Sequence, residues 1–190
     1  MNRGVFLDRD GVITKDPPHY AHKKEQLNLI PQSAEAIRLL NENGYKVIIV
    51  SNQSGVARGY YPEEDTKKFN KELEKELEKN NAHIDAIYYC PHHPTAKLKN
   101  YRLKCDCRKP KPGMILKASE EHNINLTNSF MIGDRKGDVD AGKNAGCKTI
   151  HVLTGVGKRE LSSKEFDADY RSKNLFDAVN NIILNKSKNS

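Results

Sequence analysis

Short apolar runs alternate with amphipathic stretches along the chain. Val5-Phe6-Leu7, Lys46-Val47-Ile48-Ile49-Val50 and residues 84–89, 129–134 and 149–153 each predict a strand. The second run shows no alternation, as expected of a strand covered on both faces. Between the strands lie helix patterns. Ser33 is placed to cap a helix carrying Ile37 and Leu40 and closed by Gly44. Pro62 opens a helix with Phe69, Leu73 and Leu77 at i, i+4 and i+8, and its Glu63–Lys67 and Glu64–Lys68 pairs are ordered for i,i+4 contact. Further helices are expected from Pro112 to about His122, from about Val139, and around Leu175 to Leu184. The pattern predicts an α/β fold with a Rossmann-like, mainly parallel sheet flanked by helices. No repeat or linker interrupts it, so one domain over residues 1–190 is expected, its Lys/Asn/Ser tail from 186 frayed.

Composition narrows the classes. With 36% hydrophobic and 30% charged residues in 190, the chain has the make-up of a soluble globular protein. No apolar run is long enough to span a bilayer, and the start lacks the pattern of a secretory signal, so a cytoplasmic protein without membrane attachment is expected. The formal charge of +7 invites an anionic partner. Its excess lies mainly in residues 97–111 and in the tail, aromatics are sparse, and Trp is absent, which favours a small anionic substrate over nucleic acid. Nothing suggests a sticky helix face, so a monomer is expected.

The strand ends carry the chemistry. Val5-Phe6-Leu7 runs into Asp8 and Asp10, two carboxylates two residues apart, followed by a turn-making Gly11. Such a pair repels itself unless a cation joins it or one member is protonated. By itself this is also how a capped surface turn looks, and later stretches decide the matter. Ser51-Asn52-Gln53-Ser54 ends the second strand, Lys109 falls in the loop after the third, and Asp134 ends the fourth. Ligands of open α/β sheets bind at those carboxyl ends. Three carboxylates, a hydroxyl and a lysine on one edge make a site for Mg²⁺ and an anion, the parts needed for phosphoryl transfer. Asp138 has two readings of equal standing, a further acidic ligand or the N-cap of the next helix. Arg135 and Lys136 either touch substrate phosphate or face solvent, Arg135 having the better claim.

A second signal lies in residues 90–107. Cys90-x-His92 followed by Cys105-x-Cys107 offers three thiolates and an imidazole, the ligand set of a closed structural Zn²⁺ site. His93 could replace His92, though the matching spacing favours His92. Zinc here would pin a long basic loop and set Arg108 and Lys109 beside the site. Cys147 reads as a core residue.

The ordered stretches DRDGV, SNQSG, RKPKPGM and GDRKGD resemble the four motifs of the haloacid dehalogenase superfamily of phosphohydrolases, over Val5 to about Cys147. The resemblance implies that Asp8 is the nucleophile, forming an aspartyl-phosphate, and that Asp10 is the general acid and then base. It implies that Ser51 and Lys109 hold the phosphoryl oxygens, and that Asp8, the Asp10 carbonyl and Asp134 hold Mg²⁺. The zinc insert and the lack of room for a large cap resemble the branch of heptose bisphosphate and histidinol-phosphate phosphatases. The run Asn52-Gln53-Ser54-Gly55-Val56-Ala57-Arg58-Gly59 and Cys105-Asp106-Cys107-Arg108-Lys109-Pro110 are similar to the heptose group. That similarity implies release of the C7 phosphate of heptose 1,7-bisphosphate in ADP- or GDP-heptose synthesis, histidinol phosphate being the alternative substrate. It implies substrate contacts at Asp16, His19, Tyr20, Asn52, Gln53, Ser54, Arg58, Arg108 and Arg135, with Arg108 on the distal phosphate. The proline-rich loop Asp16-Pro17-Pro18-His19-Tyr20 departs from the Gly-Tyr usual in that group, and Arg135 stands where Lys is common.

Overall fold

A computed structural model describes residues 1–17, 20–160 and 167–185, so the expectations for His19 and for the tail from residue 186 lie outside the described residues. The described strands are β1 (Arg3–Leu7), β2 (Tyr45–Asn52), β3 (Ala86–Cys90), β4 (Phe130–Gly133), β5 (Lys148–Val152) and β6 (Tyr170–Ser172). They form one sheet in the order β3-β2-β1-β4-β5-β6 with every neighbouring pair parallel. The helices are α1 (Ser33–Glu42), α2 (Ser54–Arg58), α3 (Glu63–Glu78), α4 (Gly113–Glu121), α5 (Lys136–Ala145), α6 (Gly157–Glu160) and α7 (Leu175–Ala178). A π-helical turn, Val179–Leu184, continues α7.

The period of two along each strand divides the core into two layers. Val5, Leu7, Val47 and Ile49 pack on one face against Ile37 and Leu40 of α1, Leu73 and Leu77 of α3, and Leu175 and Ala178 of α7. Phe6, Ile48, Val50 and Met131 face the other way, against Met114, Ile115 and Ala118 of α4 and Ala141 of α5. A strand buried on both faces has no reason to alternate in polarity, which accounts for the unbroken run in β2.

Three local expectations are corrected. Ser33 does not cap α1; its hydroxyl donates to the Ile13 carbonyl at 3.0 Å, and Gln32, in a left-handed conformation, takes the cap position. Glu63 forms no i,i+4 pair: it accepts from the hydroxyls of Tyr89 and Tyr101, both at 2.9 Å, tying α3 to β3 and to the insert. Helix α5 begins at Lys136 and not near Val139, because its polar first turn belongs to the functional edge of the sheet. No helix among the described residues is long and apolar enough to cross a membrane.

Candidate active site

Strand β1 is flanked by β2 on one side and β4 on the other, so the chain reverses its winding direction between β1 and β4. That is the point where open parallel sheets leave a crevice. Asp8 and Asp134 follow these two strands directly, and the Asp8 N–H extends the ladder by donating to the Ile132 carbonyl at 3.0 Å. Asp138, in the first turn of α5, completes a buried cluster in which one carboxylate oxygen from each of Asp8, Asp134 and Asp138 lies within 4.8 Å of the others.

Asp138 is not the N-cap of α5, a position that falls to Arg135; it stands at the third helical position and caps from within the first turn. Its Oδ2 accepts from the Arg135 backbone N–H at 3.0 Å, satisfying a free donor at the start of α5. Its Oδ1 lies 2.7 Å from Lys109 Nζ, which also reaches Asp8 Oδ1 at 2.8 Å and the Val50 carbonyl at 2.6 Å. Burial alone would lower the Lys109 pKa, but Asp138 and Asp8 outweigh it and hold the ammonium protonated. Burial, opposed by Lys109 and aided by Asp138 and Asp10, raises Asp8 to about 6. Burial together with Asp8 and Asp138 raises Asp134 to about 8.

The two raised carboxyl pKa values share their causes: burial first, then the mutual repulsion of three carboxylates that one ammonium in hydrogen-bond contact does not offset. Asp134 Oδ1 is buried with no hydrogen-bond partner, and Arg135 Nε at 4.0 Å is beyond hydrogen-bond reach. An orphaned carboxylate oxygen beside two further carboxylates fits a hard divalent cation in both charge and ligand chemistry.

The surrounding turns are shaped to the carboxylates. Asp134 Oδ2 accepts from the Val156 N–H at 2.8 Å, and the Thr154 hydroxyl donates to the Gly11 carbonyl at 2.6 Å. At Gly11, φ is +92°, and a Cβ there would stand 2.4 Å from Asp134 Oδ2. A Cβ on Gly155 would come within 2.2 Å of the same oxygen. Both positions require glycine because the Asp134 carboxylate occupies the space a side chain would take.

Lys109 is aimed from two directions. Asn52, at the end of β2, brackets its backbone: Nδ2 donates to the Lys109 carbonyl at 3.0 Å, and Oδ1 accepts the Lys109 N–H at 3.1 Å. Two residues upstream lies Cys107, in a cluster with Cys90, Cys105 and His92. The Cys107 sulfur is 3.1 Å from that of Cys90, 3.2 Å from that of Cys105 and 3.4 Å from His92 Nδ1. These separations are far longer than a disulfide, and the four groups lie close enough together to share one metal ion. The Cys107 thiol is pushed down to about 5, chiefly by its hydrogen bond with Cys90, whose own thiol is raised in turn. The group could hold a metal, and His92 is the imidazole that faces it. His93 turns away, toward Arg58 and Thr95.

Asp10 is held by protein groups on both oxygens. Gln53 Nε2 donates to Asp10 Oδ2 at 2.9 Å and to Ser51 Oγ at 2.8 Å, while Gln53 Oε1 accepts from the Tyr61 hydroxyl at 3.0 Å. Because Ser51 Oγ accepts from Gln53, its own proton remains to be donated elsewhere.

The cleft above this cluster encloses about 800 Å³. Of the residues singled out in the sequence, Asp8, Asp10, Asp16, Tyr20, Ser51, Asn52, Ser54, Arg108, Lys109, Arg135, Lys136 and Asp138 line it. Asp134, Gln53 and Arg58 do not: Asp134 is fully buried beneath it, Gln53 is buried behind Ser51 and Asp10, and Arg58 is exposed on the outside of α2 beside His93. Arg135 and Asp16 form an ion pair at 2.7 Å within the cleft. The sequence reading missed Val156, Arg159 and Glu160, wall residues from the segment after β5. The signal available was a strand end followed by Thr154-Gly155-Val156-Gly157, a glycine-rich turn on the functional edge of the sheet.

Family comparisons agree with this geometry. A family model described as haloacid dehalogenase-like hydrolase matches residues 5–100, and one described as HAD-hydrolase-like matches residues 106–178. The chain belongs to the haloacid dehalogenase-like hydrolases, and it is a phosphatase. Its relatives place it more narrowly. It is 41% identical over 177 residues, 93% of this chain and 95% of the relative, to the D-glycero-beta-D-manno-heptose-1,7-bisphosphate 7-phosphatase of Pasteurella multocida. It is 47% identical over 142 residues to the protein of that name from Rhodopseudomonas palustris, covering 75% of this chain and 78% of the relative. Among solved structures, the D,D-heptose 1,7-bisphosphate phosphatase of B. bronchiseptica, complexed with magnesium and phosphate, superimposes with a TM-score of 0.86. The two are 26% identical, with 99% of each chain covered.

Proposed function

We propose that the chain hydrolyses the C7 phosphate of D-glycero-β-D-manno-heptose 1,7-bisphosphate, using Mg²⁺ and passing through a phosphoryl-Asp8 intermediate. The observation that carries this reading is the buried Asp8–Lys109–Asp138 cluster with the orphaned Asp134 oxygen beside it, in a chain so similar to curated phosphatases of that name.

Asp8 is the nucleophile, with one oxygen already fixed by Lys109. Lys109 and the Ser51 hydroxyl neutralise and orient the transferring phosphoryl oxygens. Asp10 protonates the leaving sugar oxygen and then takes a proton from the attacking water. Asp8 and Asp134, with the backbone carbonyl of Asp10, would hold Mg²⁺, which would supply positive charge between the carboxylates and the incoming phosphate.

Arg108 and Arg135 stand on the cleft wall as donors for the distal phosphate and the sugar. Asp16 and Tyr20, and Asn52 and Ser54, supply polar contacts from the facing walls. Cys90, His92, Cys105 and Cys107 would hold a structural Zn²⁺, anchoring the loop that carries Arg108 and Lys109.

The test is phosphate release from both anomers of heptose 1,7-bisphosphate, histidinol phosphate and fructose 1,6-bisphosphate, with and without Mg²⁺. Selective, Mg²⁺-dependent release from the β anomer is expected. Preference for histidinol phosphate would discard the substrate and keep the chemistry.

A further inference from the structure

Arg9 is the largest fully buried side chain, at 1% exposure, and it sits between the two aspartates that follow β1. A guanidinium at that depth is costly unless acceptors meet its N–H groups in fixed geometry. Nε donates to Asp10 Oδ1 at 3.1 Å and Nη2 to Asp10 Oδ2 at 2.9 Å, a two-pronged grip on one carboxylate. Nη2 also donates to the Ala21 carbonyl, and Nη1 donates to Asn70 Oδ1, both at 2.9 Å. The guanidinium carbon lies 4.4 Å from the centroid of the Phe69 ring. Phe69 and Asn70 belong to α3, and Ala21 follows Tyr20, a residue of the cleft wall. Asp10 faces the cleft with 18% of its side chain exposed, while Arg9 lies wholly behind it.

We infer that Arg9 is a positioning residue for proton transfer at Asp10. Its two N–H donors, one on each carboxylate oxygen, fix the plane of the carboxyl group against the cleft. The inference rests on the reading of Asp10 as the acid–base group. In the first step an Asp8 oxygen bonds to phosphorus as the bond from phosphorus to the sugar oxygen breaks. The electron pair of that bond departs with the sugar oxygen, which takes the Asp10 proton. In the second step water bonds to phosphorus and gives a proton to Asp10, while the Asp8 oxygen leaves with its electron pair as a carboxylate. Thr14 accommodates both states: its single hydroxyl proton has two acceptors, Asp10 Oδ1 at 3.2 Å and the Arg9 carbonyl at 3.3 Å. It can therefore release Oδ1 without being stranded.

Protonation matters only where the departing oxygen is a poor leaving group. A sugar alkoxide is one, and 4-nitrophenolate is not. The experiment compares kcat/KM, which reports the first step, on heptose 1,7-bisphosphate and on 4-nitrophenyl phosphate. It uses the wild type, Arg9→Lys, Arg9→Gln and Asp10→Asn. If the wild type does not turn over the heptose substrate, the sugar phosphate it does hydrolyse takes its place.

Arg9→Lys keeps a buried cation and loses the two-pronged grip, so it carries the test if Arg9→Gln fails to fold. We expect its kcat/KM to fall about 100-fold on the sugar phosphate and less than about fivefold on the aryl phosphate. An equal fall on both substrates, or no fall, overturns the inference. Asp10→Asn guards the premise. If it too falls equally on both, Asp10 is not the proton donor; if it discriminates while Arg9→Lys does not, only the role of Arg9 is lost.

Discussion

The ammonium of Lys109 and the carboxylate of Asp8 meet at 2.8 Å across 101 residues of sequence. Lys109 is also the only cation in hydrogen-bond contact with the buried carboxylates of Asp8 and Asp138 among the described ion pairs. Replacing it by an apolar residue of similar length separates its two tasks. Lys109→Met should lower kcat by at least about 10³, because a fixed donor to the phosphoryl oxygens is gone. It should bind Mg²⁺ as tightly as the wild type or tighter, since a competing positive charge has been removed. Titration calorimetry with Mg²⁺ alone checks this, and clearly weaker binding would contradict it.

Metal content tests the cysteine cluster. Elemental analysis of protein purified without chelator should give about one equivalent of zinc per chain. Cys107→Ser should lose that zinc and with it most of the activity, while Asp8→Asn should lose activity and keep the zinc. Retention of zinc by Cys107→Ser would mean that the quartet is not the ligand set.

Arg108 lines the cleft and donates Nη1 to the His92 carbonyl at 3.2 Å, so its guanidinium is held to the loop of the cysteine cluster with other donors to spare. Arg108→Ala should raise KM for a sugar bisphosphate about 10- to 100-fold, by loss of a charge-assisted contact. Hydrolysis of 4-nitrophenyl phosphate, which has no second phosphate, should change little. Equal loss on both would assign Arg108 to the transferring phosphate.

Glu63 links the hydroxyls of Tyr89 and Tyr101 to the start of α3. Glu63→Ala should cost about 1–2 kcal/mol of stability, from two hydrogen bonds to a partly buried carboxylate. Denaturant unfolding measures this directly, and an unchanged midpoint would show that the two tyrosines find water instead.

Much of this arrangement was legible before the structure. The unbroken Val47–Val50 run signalled burial on both faces, and β2 does serve both core layers. Strand ends at Asp8, Ser51 and Asp134 were visible because apolar runs stop abruptly there. The cysteine quartet was visible because its spacings are local. The rest depends on side chains that meet across the sheet. Nothing near Asp138 in sequence shows that Lys109 will be its partner, or that it will cap α5 from the third helical position and not from the N-cap. Gln53 reads like its polar neighbours, and only its bonds to Ser51, Asp10 and Tyr61 distinguish it. The polar first turn of α5 hid the start of that helix, since it lacks apolar periodicity. The short α2 and the three-residue β6 carry too few residues to establish a period.

The parallel sheet draws Asp8, Ser51, Lys109 and Asp134 from widely separated parts of the chain, and each is set by a different strand end or loop. No contiguous fragment that lacks any of the first four strands assembles that set. Turnover thus doubles as a readout of their docking: a refolding population regains phosphate release only as fast as the last of those four strands docks, and species lacking one stay silent in the assay.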